Sequence, residues 1–319
     1  MSPPRSVLSR YRPALDGLAW RRAPEGFSGA EVWRGDDAAG TPLFALKCWP
    51  AGFSASRLAG IHRRLWQARH LAFVPRVLPT SAGETLVADN DRLWDVTAWM
   101  PGTPRESPSR AELESACAAI AQLHADWRAD ESREPAPGVV NRLRILGEWL
   151  ERPSRSRRIP DCPDELREVL RQSIEVVEAA APAAQAILQP WAGVPLSVQM
   201  CVRDLRGDHV LLTRELVTGI IDFGAAARDF PGVDLARYLG DVAGSDESRF
   251  RSGLNAYRAA GGVLADAGDL VRVLDRSGVV CSLIGWVVRV HSENGLKHCN
   301  PLAIRGRVEA LIARVAREV

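Results

Sequence analysis

Residues 201–226 read CVRDLRGDHVLLTRELVTGIIDFGAA and contain the pattern that decides the fold. Two runs of apolar and β-branched residues, 209–213 (HVLLT) and 216–221 (LVTGII), are separated by a short polar turn, which predicts an antiparallel β-hairpin. Asp204 precedes the hairpin, and Asp222 follows it directly. The sequence therefore places a carboxylate at each end of an apolar hairpin.

The predicted register of this hairpin brings three polar side chains together. If the turn is centred between Glu215 and Leu216, His209 lies opposite Asp222, and Asp204 lies on the loop that leads into the first strand. Mg²⁺-dependent phosphoryl transfer requires oxygen ligands for the metal and a base that orients the attacking hydroxyl. Two carboxylates and a third ligand at the strand ends fit that requirement.

Length, composition and charge set broad limits on the protein. The chain has 319 residues, 46% of them hydrophobic, which allows one large or two modest domains. Its formal net charge is +2, so bulk electrostatics does not indicate a nucleic-acid or membrane partner. The N-terminus has no apolar signal region, and the apolar run 277–288 is too short to cross a bilayer, which predicts a cytoplasmic protein.

Strand patterns and helix patterns separate along the sequence. Strands are predicted at 18–23, 30–35, 43–49, 84–89 and 93–100. Helices are predicted at 54–71, 111–127, 141–151, 164–181, 246–260, 266–276, 279–291 and 303–318. The predicted organisation is a flexible tail at 1–10, a β-rich N-terminal lobe at 11–101 and a helical C-terminal lobe at 102–319. This is an α+β fold class, with a hinge near Trp99 to Gly102.

Several segments resemble one known family. RDLxxxH followed by IDFG resembles the H-G-D-x-x-x-x-N and I-D-F-G/D motifs of the aminoglycoside phosphotransferase and choline kinase-like family, which is related to the protein kinases. EGFSGAEVWR resembles the loop that covers the phosphates, FALKCW the third strand with its lysine, VTAWMPG the hinge and AAIAQLHA the L-A-x-L-H helix. GVDLAR resembles the D-x-A-Y-D-L-A element, in which Asp234 is structural. The resemblance spans about residues 18–239.

The resemblance implies a two-lobed protein kinase-like fold, with a small antiparallel β lobe and a larger, mainly helical lobe. It implies ATP and Mg²⁺, or Mn²⁺, as cofactors and a small-molecule hydroxyl as the phosphoryl acceptor. Asp204 occupies the position of the catalytic aspartate, and Asp222 and His209 occupy the positions of the metal ligands. The residues that it implies for nucleotide binding are Lys47, Gly26, Ser28, Gly29, Trp99 and Met100.

The sequence departs from the family pattern at two positions. His209 replaces an asparagine, and an imidazole suits Mn²⁺ or Zn²⁺ better than the hard Mg²⁺ ion. The family also pairs its lysine with a glutamate from the following helix, yet no acidic residue lies between Lys47 and Glu84. Either Lys47 has another partner, with Asp222 as the candidate, or the site is degraded.

Other interpretations of these residues stay open at this point. Asp204 and Asp222 are alternatively turn residues, His209 is equally explained as a structural histidine, and Asp208 is an alternative metal ligand. Residues 291–299 contain His291, Glu293, His298 and Cys299 without paired zinc-ligand spacing.

The sequence as a whole predicts an ATP- and divalent-metal-dependent phosphotransferase. The competing hypothesis is a catalytically weak or inactive kinase-like protein that binds nucleotide or acts as a scaffold. An arginine-rich helix at 57–70 raises a third hypothesis, nucleic-acid binding, although a solvated helix face explains it more simply. No nucleic-acid or membrane partner is expected, and the acceptor and the oligomeric state are left open.

Overall fold

A computed structural model describes residues 2–24, 26–27, 29–152, 162–264, 267–291 and 300–318. The chain divides into two compact units. The first unit comprises Met1–Arg105 and Asp208–Gly224, and the second comprises Glu106–Gly207 and Ala225–Val319. The domain boundaries at residues 10 and 101 stay a prediction.

The first unit is built on an antiparallel sheet. Among the described residues its strands are β1 (Ala19–Arg22), β2 (Glu31–Asp36), β3 (Pro42–Cys48), β4 (Val87–Asp89) and β5 (Arg92–Ala98), in the order β1-β2-β3-β5-β4. Helix α2 (Ala55–Gln67) follows β3. Ser54 caps the helix, because its hydroxyl accepts a hydrogen bond from the Arg57 N–H. The buried face of α2 carries Leu58, Ile61 and Leu65, the stripe that helical spacing predicts.

The N-terminal segment contributes to the core of this unit. Helix α1 (Arg5–Leu8) lies inside the stretch that the sequence assigns to a flexible tail. Its Val7 is fully buried, and it belongs to one apolar cluster with Tyr11, Trp33 and Trp94. Burial of these large side chains stabilises the outer part of the sheet.

The predicted hairpin is present, but its register differs from the prediction. Strands β8 (Val210–Thr213) and β9 (Leu216–Ile220) are antiparallel, and Thr213 pairs with Leu216, so the turn contains only Arg214 and Glu215. The pairing of His209 with Asp222 in a regular ladder was therefore wrong. A register shift after Leu211 accommodates the shorter turn.

The second unit is mainly helical. Its helices among the described residues are α3 (Arg110–Asp126), α4 (Pro137–Glu151), α5 (Asp164–Leu188), α6 (Gly232–Val242), α7 (Glu247–Ala259), α8 (Gly268–His291) and α9 (Pro301–Glu318). Strands β6 (Ser132–Pro135), β7 (Pro195–Cys201) and β10 (Ala227–Asp229) form a small sheet in the order β10-β7-β6. The two units together confirm the predicted α+β class.

Two helix predictions need correction. The sequence predicts separate helices at 266–276 and 279–291, whereas α8 runs through both segments. Ser277 does not break the helix, because its hydroxyl donates to the Val273 carbonyl one turn earlier. Helix α6 was missed, since GVDLAR is too short to show a helical period.

Within the described residues, the helices offer no segment with the length and apolar character that a bilayer span requires.

A buried polar network joins α3, α6 and the end of β7. Asp234 is fully buried and accepts hydrogen bonds from the backbone N–H groups of Val202 (2.7 Å) and Arg203 (2.5 Å). His124 Nε2 lies 3.0 Å from the same carboxylate, and His124 Nδ1 lies 2.8 Å from the Tyr257 hydroxyl. A carboxylate can only accept, so His124 Nε2 donates to Asp234. Asp234 therefore fixes the chain just before Asp204.

We predict that Asp234→Asn lowers the free energy of unfolding by about 3 kcal/mol, because an amide NH₂ would face the N–H donors that the carboxylate now satisfies. Urea unfolding measures this change. The matched control is Asp164→Asn, which alters an exposed carboxylate in the first turn of α5 and should cost less than about 1 kcal/mol. Equal losses in the two variants would contradict the structural role of Asp234.

Candidate active site

The first unit contains a cavity of about 420 Å³, a size that suits a small-molecule ligand. Its walls combine apolar side chains, such as Val32, Leu211 and Ile221, with a small number of charged ones. The predicted site residues that line it are Gly26, Lys47, Trp99, Met100, His209 and Asp222. The structure thus gathers six predicted residues, from distant parts of the sequence, around one cavity.

Two further predicted site residues, Gly29 and Asp204, are not part of this lining, and a third is not described. Gly29 follows Gly26 in the turn before β2, and its φ of 73° is in the left-handed region that favours glycine. Ser28 lies outside the described residues. Asp204 belongs to the second unit.

Lys47 has two partners in the cavity. Its Nζ donates to Asp222 Oδ1 at 2.9 Å, so Lys47 contacts the partner that the sequence suggests for it. Nζ also lies 4.1 Å from the centre of the Trp49 ring. The Lys47 side chain is 20% exposed, which leaves the ammonium accessible from the cavity.

Asp222 adopts a backbone conformation that is costly for a residue with a side chain. Its φ is 60°, in the left-handed region, and such strain persists only where surrounding contacts enforce it. Burial raises the pKa of the carboxyl, but the charge and hydrogen bond of Lys47 outweigh that effect, and the pKa is lowered from 3.8. Asp222 is therefore an anion at neutral pH, with its carboxylate 42% exposed.

His209 lies between two carboxylates. Its Nε2 is 3.9 Å from Asp222 Oδ2 and 3.6 Å from Asp208 Oδ1. The Ile221 N–H donates to the His209 carbonyl at 2.9 Å, which holds His209 beside Asp222 despite the changed register. Asp208 and His209 lie in the 3-10 turn Gly207–His209, so the alternation of side chains along a strand does not separate them.

Asp208, His209 and Asp222 carry side chains of the types that bind divalent metal ions, although they are not among the described residues whose ligand atoms lie within 4.8 Å of one another. They supply two carboxylates and one imidazole, all of which are ordinary metal ligands, and they line the same cavity as Lys47. The imidazole favours Mn²⁺ or Zn²⁺ relative to an all-oxygen site.

Asp204 lies on a strained and strongly supported loop in the second unit. The preceding residue, Arg203, has a φ of 69°, and its side chain pairs with Asp229 at 3.1 Å. Asp204 Oδ1 accepts from Arg237 Nε of α6 at 3.0 Å, and the Asp204 side chain is 47% exposed. The loop therefore presents an oriented carboxylate that solvent or a substrate can reach.

The hairpin packs directly on the predicted hinge within the first unit. The Thr218 hydroxyl donates to the Pro101 carbonyl at 2.8 Å. A Cβ on Gly219 would lie 2.7 Å from the Cβ of Met100, so only glycine allows this approach. The position of Met100 in the cavity wall is consequently set by β9.

Sequence reasoning missed three residues beside Lys47. Trp49 Nε1 donates to Asp95 Oδ1 at 2.9 Å, and His62 Nε2 lies 2.8 Å from Asp95 Oδ2. The signal for Asp95 was its place in β5, because antiparallel pairing sets it directly opposite Lys47. His62 lies on the buried face of α2, where a polar residue interrupts the apolar stripe.

Another cluster has metal-ligand chemistry but a structural role. His124, Cys201 and Asp234 place their ligand atoms within 4.8 Å of one another, and all three are buried. Burial raises the pKa of the Cys201 thiol, and hydrogen bonds inside the fold already engage His124 and Asp234. The alternative zinc ligands Glu293, His298 and Cys299 lie outside the described residues, as does the side chain of His291.

Comparisons with solved structures identify the fold. A spectinomycin phosphotransferase in complex with ADP and spectinomycin matches with a TM-score of 0.65 at 11% identity, over 95% of this chain and 93% of that chain. An amicoumacin kinase in complex with AMP-PNP and Ca²⁺ matches with a TM-score of 0.62 at 13% identity, over 95% and 89%. An aminoglycoside-3'-phosphotransferase of type VIII matches with a TM-score of 0.51 at 26% identity, over 85% and 97%. The fold is that of these phosphotransferases, as predicted.

A sequence model of the phosphotransferase enzyme family matches residues 19–270. The chain therefore belongs to the phosphotransferase enzyme family, and the family resemblance of the sequence motifs is confirmed. A comparison with curated protein sequences gives no match.

We predict that Lys47→Met changes stability in a pH-dependent way. Because the folded pKa of Asp222 is lowered from 3.8, the ion pair stabilises the fold above the unfolded pKa, and this contribution is lost as pH falls through the folded value. Lys47→Met should therefore be less stable than wild type near pH 7, with a difference that shrinks as the pH falls through the lowered pKa of Asp222. Urea unfolding at a series of pH values measures the difference.

The control for this prediction is Arg10→Met, which removes an exposed pair with Glu84 in the same unit. Exposed pairs contribute little, so this variant should stay close to wild type at every pH. An equal stability loss in Lys47→Met at pH 7 and at acid pH would show that Lys47 does not lower the pKa of Asp222.

Proposed function

We propose that the protein is an ATP- and divalent-metal-dependent phosphotransferase that transfers the γ-phosphate to a hydroxyl of a small molecule. The observation that carries this proposal is the contact of Lys47 with Asp222 in one cavity, across a sequence separation of 175 residues. Family membership supports the reaction class.

In this proposal the cavity of the first unit binds ATP. Its apolar walls suit an adenine ring, and Trp99 and Met100 border it at the hinge. Lys47 would contact the phosphates as a point charge, while the backbone N–H groups of Gly26 and Gly29 would bind the remaining oxygens. Ser28 stays a proposal from the sequence alone.

Asp222 and His209 would hold the metal ion, with Asp208 as a further ligand. A divalent ion supplies positive charge that offsets the negative charge of the phosphates. Asp222 suits this role because its low pKa keeps it ionised at neutral pH. Since His209 replaces an oxygen donor, we propose that Mn²⁺ serves at least as well as Mg²⁺.

Asp204 would orient the acceptor hydroxyl and accept its proton. Its contact with Arg237 fixes the direction of the carboxylate, and the contacts of Asp234 with Val202 and Arg203 fix the loop. A general base must be held within hydrogen-bond reach of the proton that it removes, so an anchored loop suits this role.

The solved relatives support a small-molecule acceptor, since their names describe kinases for spectinomycin, amicoumacin and aminoglycosides. Three acidic residues of the second unit that are candidates for an acceptor pocket have structural contacts. Asp241 accepts from the Gly207 N–H, Asp246 caps α7, and Glu247 pairs with Arg272. Their contacts do not favour one acceptor.

The competing proposal is a catalytically weak or inactive nucleotide-binding protein. It is favoured by the two departures from the family pattern: no acidic residue lies between Lys47 and Glu84, and His209 replaces an asparagine. This alternative predicts ATP binding without ADP production, whichever metal is present.

We predict that the protein binds ATP with Mg²⁺ and with Mn²⁺, and that Asp222→Ala abolishes the metal-dependent part of the affinity. Calorimetric titration of ATP with each metal measures both effects. Asp16→Ala is the control, because Asp16 is an exposed aspartate outside the cavity in the same unit. Absence of ATP binding to wild type with either metal would overturn the nucleotide site.

We also predict that Asp204→Asn lowers the rate of ADP production by at least about 100-fold while ATP binding is retained, because the base is lost and the cavity is intact. ADP release is measured with water and with a panel of aminoglycosides as acceptors. Asp246→Asn is the control, since asparagine also caps a helix. Unchanged turnover in Asp204→Asn would contradict its assignment as the base.

A further inference from the structure

We propose that His62, Asp95 and Trp49 form a positioning relay that connects helix α2 to Lys47, in a chain whose α2 carries no acidic residue. The relay acts on the lysine through an aromatic ring, which is in turn oriented by a buried carboxylate. The expected effect of the relay on nucleotide affinity rests on the proposed function. The expected effect on the orientation and reactivity of Lys47 does not rest on it.

The first link is the contact of Lys47 with Trp49. An ammonium 4.1 Å from the centre of an indole ring is attracted by the negative face of the ring. The ring is buried and is packed on its other sides. Phe53 lies 4.3 Å from it between ring centres, and a Cβ on Gly224 would lie 3.1 Å from its edge. Trp49 therefore has little freedom to leave Lys47.

The second link is the carboxylate of Asp95, which is 4% exposed. One of its oxygens accepts from Trp49 Nε1 at 2.9 Å, and the other lies 2.8 Å from His62 Nε2. Because a carboxylate only accepts, His62 donates through Nε2. Buried charge-assisted hydrogen bonds are strong, so Asp95 fixes the plane of the indole relative to β5.

The third link is the position of His62 on α2. His62 is buried, as are the apolar residues Ile61 and Leu65 of the same helix. No acidic residue occurs from residue 48 to residue 83, so α2 has no carboxylate of its own to offer Lys47. The helix instead reaches Lys47 through Asp95, which lies directly opposite the lysine in the pairing of β3 with β5.

The relay gives Lys47 a partner that is independent of Asp222. The contact of Lys47 with Trp49 does not involve the Asp222 carboxylate. If Asp222 binds a metal ion instead, Trp49 can still hold the Lys47 ammonium in position. A lysine paired with Asp222 alone would lose its orientation in that event. The contact with Trp49 is therefore the one that would keep Lys47 oriented in the nucleotide- and metal-bound protein.

The experiment measures the reactivity of Lys47 directly. The chain contains only two lysines, Lys47 and Lys297, so acylation by a succinimidyl ester can be followed at Lys47 by peptide mass spectrometry, with Lys297 reporting the reagent dose. We expect Trp49→Phe and Asp95→Asn to raise the labelling rate of Lys47 by about two- to fivefold, because both changes weaken the cation–aromatic contact. His62→Leu should act in the same direction.

Two controls separate the relay from general destabilisation. Trp66→Phe alters a 65% exposed tryptophan of α2 that also contacts a cation, Arg69, outside the cavity. Asp36→Asn removes a buried carboxylate from β2, in the same sheet. Neither control should change the labelling of Lys47. Trp49→Phe keeps an aromatic ring in the core and should fold. If Asp95→Asn folds poorly, the labelling of Trp49→Phe still tests the relay.

Titration of ATP with Mn²⁺ then tests the functional part, and the relay variants should weaken ATP binding by about two- to fivefold while the controls do not. Unchanged labelling of Lys47 in both Trp49→Phe and Asp95→Asn would overturn the relay. If wild type binds no ATP, the proposed function fails, and the labelling result still decides whether the relay holds Lys47.

Discussion

The ion pair between Lys47 and Asp222 is the contact on which the first unit depends. It joins a central strand of the sheet to the residue that ends the β8–β9 hairpin, over a distance of 2.9 Å. Around it lie the strained backbone of Asp222, the histidine beside it and the ring of Trp49. All of these features are explained by one requirement, which is that the ammonium of Lys47 and the carboxylate of Asp222 are held together in one cavity.

Much of this arrangement was readable from the sequence. The β-rich and helical parts, the hairpin, the lone lysine of β3 and the polar residues at the hairpin ends all follow from local patterns. The order of the motifs also predicted the family. These features are encoded within short segments, where residue type and spacing act directly.

The rest depends on pairings between segments that are distant in sequence. The role of Asp95 follows from its register against β3, and that of His62 from the way α2 packs on the sheet. The hairpin register was missed because the turn is two residues long and a register shift follows Leu211. In α8, two predicted helices are one, and Ser277 between them bonds to its own helix. Local patterns carry none of this information.

The first unit is not continuous along the chain, because residues 106–207 separate its main part from the hairpin. During synthesis, Lys47 leaves the ribosome 175 residues before Asp222. At about 5–20 residues per second, this interval lasts roughly 10–35 s. The nascent sheet therefore exposes an unfinished cavity wall, and a lysine that still lacks its Asp222 partner, while the intervening segment is being made. A chaperone that binds during translation would therefore bind the chain while this cavity wall is incomplete.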